Sequence, residues 1–386
     1  MLSLRLARGA HPLVQLRRLL VAAASGGTGF LLLCTLGYAM GHPDASGGSL
    51  LRLAWCAIPL AATVYFAVAV ARSDPGTKPR TGLSAVGLGP ARLTLLSAIS
   101  TAIACTLGSM LALLFFLHLR GDLSGLPFDG AARDLLAAGK PLPLAAALTL
   151  LTFVPVAASA ASAVVLRPRA RKAGEAEEEP REPSPAPTGL PWGIALLAAG
   201  LAVETYASHA RGDRGFPMPG GLGGSSSGVL AGWALTALGL ALAGPALTYH
   251  CGRALQAVRP GAVRLLAGRV LQEEARRVGT PIGVVCAVAS GTYAAIALYA
   301  GAGPDLGPLS TLGSVLVVGC AVATLATAAV EARQARSDTN AALLRLGAPA
   351  TMLRGAVALR AGALFAVFAP LTWAVAELSA IPLIPR

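Results

Sequence analysis

The sequence predicts an all-α integral membrane protein that crosses the bilayer about nine times, within a range of eight to ten, and three observations predict it. Hydrophobic residues make up 55% of the 386 and charged residues 13%, with a mean hydropathy of +0.66. A water-soluble globule of this length would lack the polar surface to cover itself. Nine nearly charge-free stretches of ~17 residues or more follow, close to the ~20 that a helix needs to cross a hydrocarbon core of ~30 Å. Finally, the basic residues collect on one side when those stretches are threaded alternately through a membrane.

The spans run from Leu19 to Met40, Leu51 to Ala71, Leu93 to Leu117, Leu142 to Leu166, Leu190 to Ala207, Gly228 to Tyr249, Pro281 to Ala302, Leu309 to Val330 and Ala356 to Glu377. Alanine, leucine, valine and glycine dominate them, a composition suited to close helix packing in lipid rather than to barrel strands. The first apolar run, about 22 residues, exceeds the ~7 to 15 of a signal-peptide core, so it reads as an uncleaved span.

Topology follows from the arginines. Arg5, Arg8, Arg17 and Arg18 precede span one; Arg72, Lys78, Arg80 and Arg92 separate spans two and three; Arg167, Arg169, Arg171, Lys172 and Arg181 follow span four. Arg253, Arg259, Arg264, Arg269, Arg276 and Arg277 follow span six, and Arg333, Arg336, Arg345 and Arg354 follow span eight. These loops are expected in the cytoplasm with the N-terminus, in a bacterial cell membrane. The outer side has six, Arg120, Arg133, Lys140, Arg211, Arg214 and Arg386, while Arg52 and Arg360 sit at span ends. The net charge of +13 is thus a topology signal and not a nucleic-acid signal.

Residues 167–189 form a basic run, then Glu175, Glu177, Glu178, Glu179 and Glu182, then a proline-rich tail, which is the composition of a disordered cytoplasmic linker. It separates a four-span half, residues 1–166, from a two-span insertion, residues 190–250. A cytoplasmic amphipathic segment, residues 251–280, and a C-terminal half, residues 281–386, complete the chain. Within 251–280, Arg269 with Glu273 and Glu273 with Arg277 stand at i,i+4 spacing while Val263, Leu266 and Val270 line another side, so the segment reads as an interfacial helix.

Two local repeats connect the halves. Ala24-Ser25-Gly26-Gly27-Thr28 resembles Ala289-Ser290-Gly291-Thr292, and Ala71-Arg72-Ser73-Asp74 returns as Ala335-Arg336-Ser337-Asp338. Each of the latter precedes a small-residue turn, Leu88-Gly89-Pro90-Ala91 or Leu346-Gly347-Ala348-Pro349-Ala350. Spans one to three then correspond to spans seven to nine, with the second copy truncated.

No catalytic, cofactor-binding or metal-ligating set is legible. Gly139-Lys140-Pro141 lacks the flanking glycine and hydroxyl of a Walker A loop. Gly224-Ser225-Ser226-Ser227-Gly228 has the lettering of a nucleophile elbow, but in a Gly/Ser-rich outer loop and not after a strand. Cys34, Cys56, Cys105, Cys286 and Cys320 fall inside spans and Cys251 at an edge, unpaired in spacing, and the five histidines are scattered. Glu204, Arg360 and Glu377 lie toward span ends, where they are expected to anchor at the interface, so an ion-coupled carrier is the weaker transport reading. The chain is not expected to be an enzyme.

The stretch after span eight, EARQARSDTNAALLRLGAPATMLRGAVALRAGAL, resembles the FtsX-like permease family through Leu344, Arg345, Leu346, Gly347, Ala348 and Leu353, which match that family's inner-loop pattern L-R-x-L-G-A-x-x-x-x-L. LSAVGLGPARLTLLSA matches more loosely through Leu83, Gly87, Leu88, Gly89 and Leu93. Arg264 to Glu274 is similar to the amphipathic segment before a permease repeat. The likeness covers about half of the chain.

This resemblance implies the membrane subunit of an ABC transporter, with two partial repeats and no cofactor of its own. Its partners would be the lipid bilayer and a separate cytoplasmic ATP-binding subunit in two copies. Leu88, Gly89, Arg92, Arg345, Leu346, Gly347, Ala348, Leu353 and Arg354 are the implied coupling residues. The implied work is ATP-driven export or extraction of an amphiphile, or transmembrane signalling. The outer loops are too short for the extracytoplasmic domain that many such permeases carry, which leaves a non-transporting scaffold as the alternative.

Overall fold

The computed structural model describes residues 12–74, 90–123, 127–167, 186–209, 227–257, 261–300 and 307–380. Those residues form helices and no strand: α1 Pro12–Gly41, α2 Ser46–Trp55, α3 Ala57–Ser73, α4 Pro90–Arg120, α5 Leu144–Val165 and α6 Leu190–His209, followed by α7 Ser227–Ala257, α8 Ala262–Ala300, α9 Pro308–Ala335, α10 Ser337–Arg345 and α11 Ala350–Ala380. Among the described residues, nine helices are long and apolar enough to cross a membrane, α2 with α3 and α9 with α10 each counting as one. The chain is an all-α polytopic membrane protein. Helix is the economical solution because it satisfies every backbone N–H and C=O within the segment, where lipid offers no partner. Leu19, Phe153, Trp192, Phe365 and Trp373 point outward from the packed helices, an arrangement that hydrocarbon tolerates and water does not.

The chain divides into two compact units. The first comprises residues 1–172 with residues 308–324, and the second residues 173–307 with residues 325–386. In the first unit, α1 packs on α4 and α4 on α5. Small residues make the approach possible: a Cβ at Gly108 of α4 would overlap the carbonyl of Ala22 in α1. Polar side chains then tie α1 to its neighbours, Ser25 Oγ donating to the Cys105 carbonyl of α4 at 2.8 Å and the Thr28 hydroxyl meeting that of Thr63 in α3 at 2.9 Å. The Ala24 to Thr28 motif is thus the packing centre of its unit.

In the second unit α6 packs on α7, α7 on α8 and α8 on α11. Residues 262–280 are here the first part of α8, a single helix of 39 residues, and not a separate interfacial helix. At 1.5 Å per residue α8 is about 58 Å long, roughly twice a hydrocarbon core. Pro281 marks the handover from its charged part to its apolar part. The charged part packs along α7, whose Gly252 lies so close to Gly268 that a Cβ on either would press on the other's carbonyl. The Ala289 to Thr292 likeness does not carry over to packing: Ser290 Oγ and Thr292 Oγ1 donate to Ala287 and Val288 on their own helix, and Gly291 has nothing near it.

Candidate coupling site

At the end of α9 the chain turns at Arg336, whose N–H donates to the Arg333 carbonyl at 3.3 Å, and restarts as α10. Asp338 lies in the first turn of α10 and Arg345 in the last, the arrangement the helix dipole favours. Termination is specific. The Ala348 N–H donates to the Leu343 carbonyl at 3.0 Å and the Gly347 N–H to the Leu344 carbonyl at 3.1 Å, the two bonds of a Schellman motif. Gly347 has φ +87°, and no atom stands where its Cβ would go, so it is the left-handed backbone and not crowding that asks for glycine. Pro349 then caps α11, accepting from the Met352 N–H at 3.0 Å.

This element buries none of its own side chains. Leu344 is 49% exposed and Leu346 84%, while Arg345, Gly347 and Arg354 are exposed and Ala348 and Leu353 half-buried. Two exposed leucines and two exposed arginines thus lie on one short stretch of chain around the turn. Arg92, near the start of α4, is exposed in the first unit; Leu88 and Gly89 lie outside the described residues. The structure therefore brings Arg345 to Arg354 together as one helix, turn and helix start.

The mount was not legible from the sequence. Arg336 Nη1 lies 2.9 Å from Glu274 Oε2 of α8, and Arg277 Nε lies 3.7 Å from Glu331 Oε1 of α9. A Cβ at Gly355 of α11 would touch Val263 of α8. The charged part of α8 thus braces the end of α9 and the start of α11, the two helices that carry the turn between them. The Arg269–Glu273 pair stands at 4.0 Å, but Arg277 reaches across to Glu331. The available signal was Glu331, an acid at the end of an otherwise apolar helix.

The first unit repeats the device with its polarity reversed. Arg18 Nη2 of α1 lies 2.6 Å from Asp74 Oδ2, and Arg17 Nη1 donates to Ser73 Oγ at 3.1 Å. In both units the Ala-Arg-Ser-Asp motif at the end of a membrane helix is tied to another helix of the same unit, α1 in the first and α8 in the second. The motif contributes its acid in one case and its arginine in the other.

Beyond the turn, α8, α9 and α11 line an apolar groove of about 580 Å³ within the second unit, with Cys286, Leu325, Phe368 and Trp373 among its walls. At one end the Tyr293 hydroxyl donates to Glu377 Oε1 at 2.6 Å. Glu204 does not anchor at an interface: it is 1% exposed, packed between helices. Arg360 is half-buried, its Nε donating to the Ala356 carbonyl at 3.2 Å. Among the described residues no group of three His, Cys, Asp or Glu side chains could hold a metal ion. Comparison with family models, with curated proteins and with solved structures finds no match to this chain.

Proposed function

We propose that this chain is the membrane-spanning subunit of an ABC-type complex of the FtsX-like kind, set in a bacterial cell membrane with its N-terminus in the cytoplasm and served by two copies of a separate ATP-binding subunit. The observation that carries the reading is the α10 turn: exposed Leu344, Arg345 and Leu346, with exposed Arg354 at the start of the next helix, held by a Schellman cap and braced by the Glu274–Arg336 ion pair. A partner that changes shape on binding and hydrolysing ATP needs a stiff lever, and a helix fixed at both ends supplies one.

A push on α10 passes into α11 through the turn and into α8 through Arg336 and Glu274. Those helices also wall the apolar groove, so displacement at the turn alters the groove's shape. Apart from Tyr293 and Thr372 the groove is walled by apolar side chains and Cys286, which suits the hydrophobic part of an amphiphile better than an ion or a sugar. Extraction or export of such a molecule, or signalling of its presence, needs no aqueous pore.

The test is purification of the tagged chain from its native cells in mild detergent, followed by identification of bound proteins and assay of ATP hydrolysis. A stoichiometric ATP-binding protein, retained by the native chain and lost from a variant carrying Leu346→Glu and Arg354→Glu, supports the reading. Absence of such a protein, or equal retention by both, turns the account to a scaffold.

A further inference from the structure

Glu204 is the one fully buried carboxylate among the described residues, and the proposed coupling mechanism makes no use of it. It lies on α6 with 1% exposure, where α6, α7 and α11 meet. Thr236 Oγ1 of α7 donates to its Oε1 at 3.0 Å, and the buried Ser379 side chain of α11 lies beside the carboxyl group. Its Oε2 is buried with no hydrogen-bond partner among the described residues. An ionised carboxylate sealed in this way needs a counter-charge or a bound cation.

Neighbouring charges do not supply one. On α6 the titratable groups nearest in sequence are Tyr206, 80% exposed, and His209, exposed, its ring nitrogen on the Thr205 carbonyl at 2.7 Å, and neither is a buried cation. On α7 the basic groups are His250 and Arg253, about four turns or more from Thr236. On α11 the nearest is Glu377, another acid, engaged by Tyr293, while Arg354 and Arg360 stand toward the opposite end of that helix. Tight packing excludes a larger cation: a Cβ at Gly232 would overlap Glu204 Cγ, and one at Gly200 would overlap Thr236 Oγ1.

We infer that Glu204, Thr236 and Ser379 form an intramembrane proton-binding site, in which the proton resides on the Glu204 carboxyl and leaves only when α11 parts from the α6 and α7 pair. Binding is the simple association of one proton with one carboxylate oxygen. As a carboxylic acid Glu204 can donate as well as accept, which answers the orphaned oxygen. The site stands independently of any ATPase. It gains a role from that reading because α11 begins at the coupling turn and carries Ser379 in its last turn, so movement of one end bears on proton access at the other.

Infrared difference spectroscopy of the purified, reconstituted full chain tests it, using the native protein minus Glu204→Gln at neutral pH. The expected result is the carbonyl-stretch band of a protonated carboxyl, absent from the corresponding Glu377→Gln difference and lost on alkaline titration. A difference spectrum showing only ionised-carboxylate bands overturns the proposal. Should Glu204→Gln not fold, Ser379→Ala and Thr236→Val serve instead: each is expected to shift the carboxyl band, and a spectrum unmoved by both overturns the proposal equally.

Discussion

Arg336 and Glu274 are joined by an ion pair of 2.9 Å across 62 residues of sequence, and with 23% and 14% of their side chains exposed they are largely shielded from water. The pair ties the end of α9, where α10 begins, to the long helix α8. Desolvation offsets much of the attraction in a shielded pair, but removing one partner leaves the other charge poorly solvated.

Glu274→Gln is therefore expected to lower the stability of the second unit by about 1 to 3 kcal/mol, between the values for exposed and buried pairs. The exchange Glu274→Arg with Arg336→Glu is expected to recover most of the loss. Thermal unfolding in a fixed detergent reads both. A double exchange as unstable as either single change would show that the pair is incidental.

Gly347 occupies the left-handed region, where a Cβ costs about 1 to 2 kcal/mol. With open space around it, Gly347→Ala is expected to leave the fold intact and weaken only the α10 cap, and Gly347→Asn to be tolerated better. Amide hydrogen exchange over residues 343–348 is the measurement, with faster exchange for alanine than for asparagine.

Helix approach in the first unit depends on Gly108, whereas Gly291 in the second unit faces nothing within 4 Å. Gly108→Val is expected to destabilise by about 2 kcal/mol or more, as overpacking does. Gly291→Ala, in mid-helix, is expected to be neutral or to stabilise by a few tenths up to ~1 kcal/mol. Melting of the two variants side by side decides it, and equal effects would contradict the packing described.

All six cysteines are buried thiols. A membrane-impermeant maleimide is expected to leave the native chain unlabelled in sealed membrane vesicles of either orientation, and to label Leu346→Cys only when the proposed cytoplasmic face is outermost. Labelling from the opposite face would reverse the topology.

Helix number and position were legible because a span announces itself by ~20 apolar residues, and lipid leaves helix as the only open-chain solution. From Leu19 to Glu377 each predicted span lies inside an observed span, except for the ends of span four, where the helix runs Leu144–Val165, and the last residues of span seven. Three features were not legible. The continuity of α8 through Pro281 rests on Gly252 and Gly268 allowing α7 alongside, a contact between residues with no mutual pattern. The brace joins Glu274 to Arg336 and Arg277 to Glu331, whereas helical spacing offers only partners within α8. The burial of Glu204 depends on Thr236 and Ser379 arriving from two other helices. Conversely, the Ser290-Gly291-Thr292 likeness to the first span shows that similar lettering can serve different packing.

The account stands most directly on contact at the coupling turn. A photo-crosslinking amino acid placed at Leu346 in native cells is predicted to capture an ATP-binding subunit, while the same probe at Leu135, exposed in a loop expected on the outer side, captures none. Capture from neither position, or equally from both, would contradict the claim that this turn is where ATP hydrolysis enters the membrane.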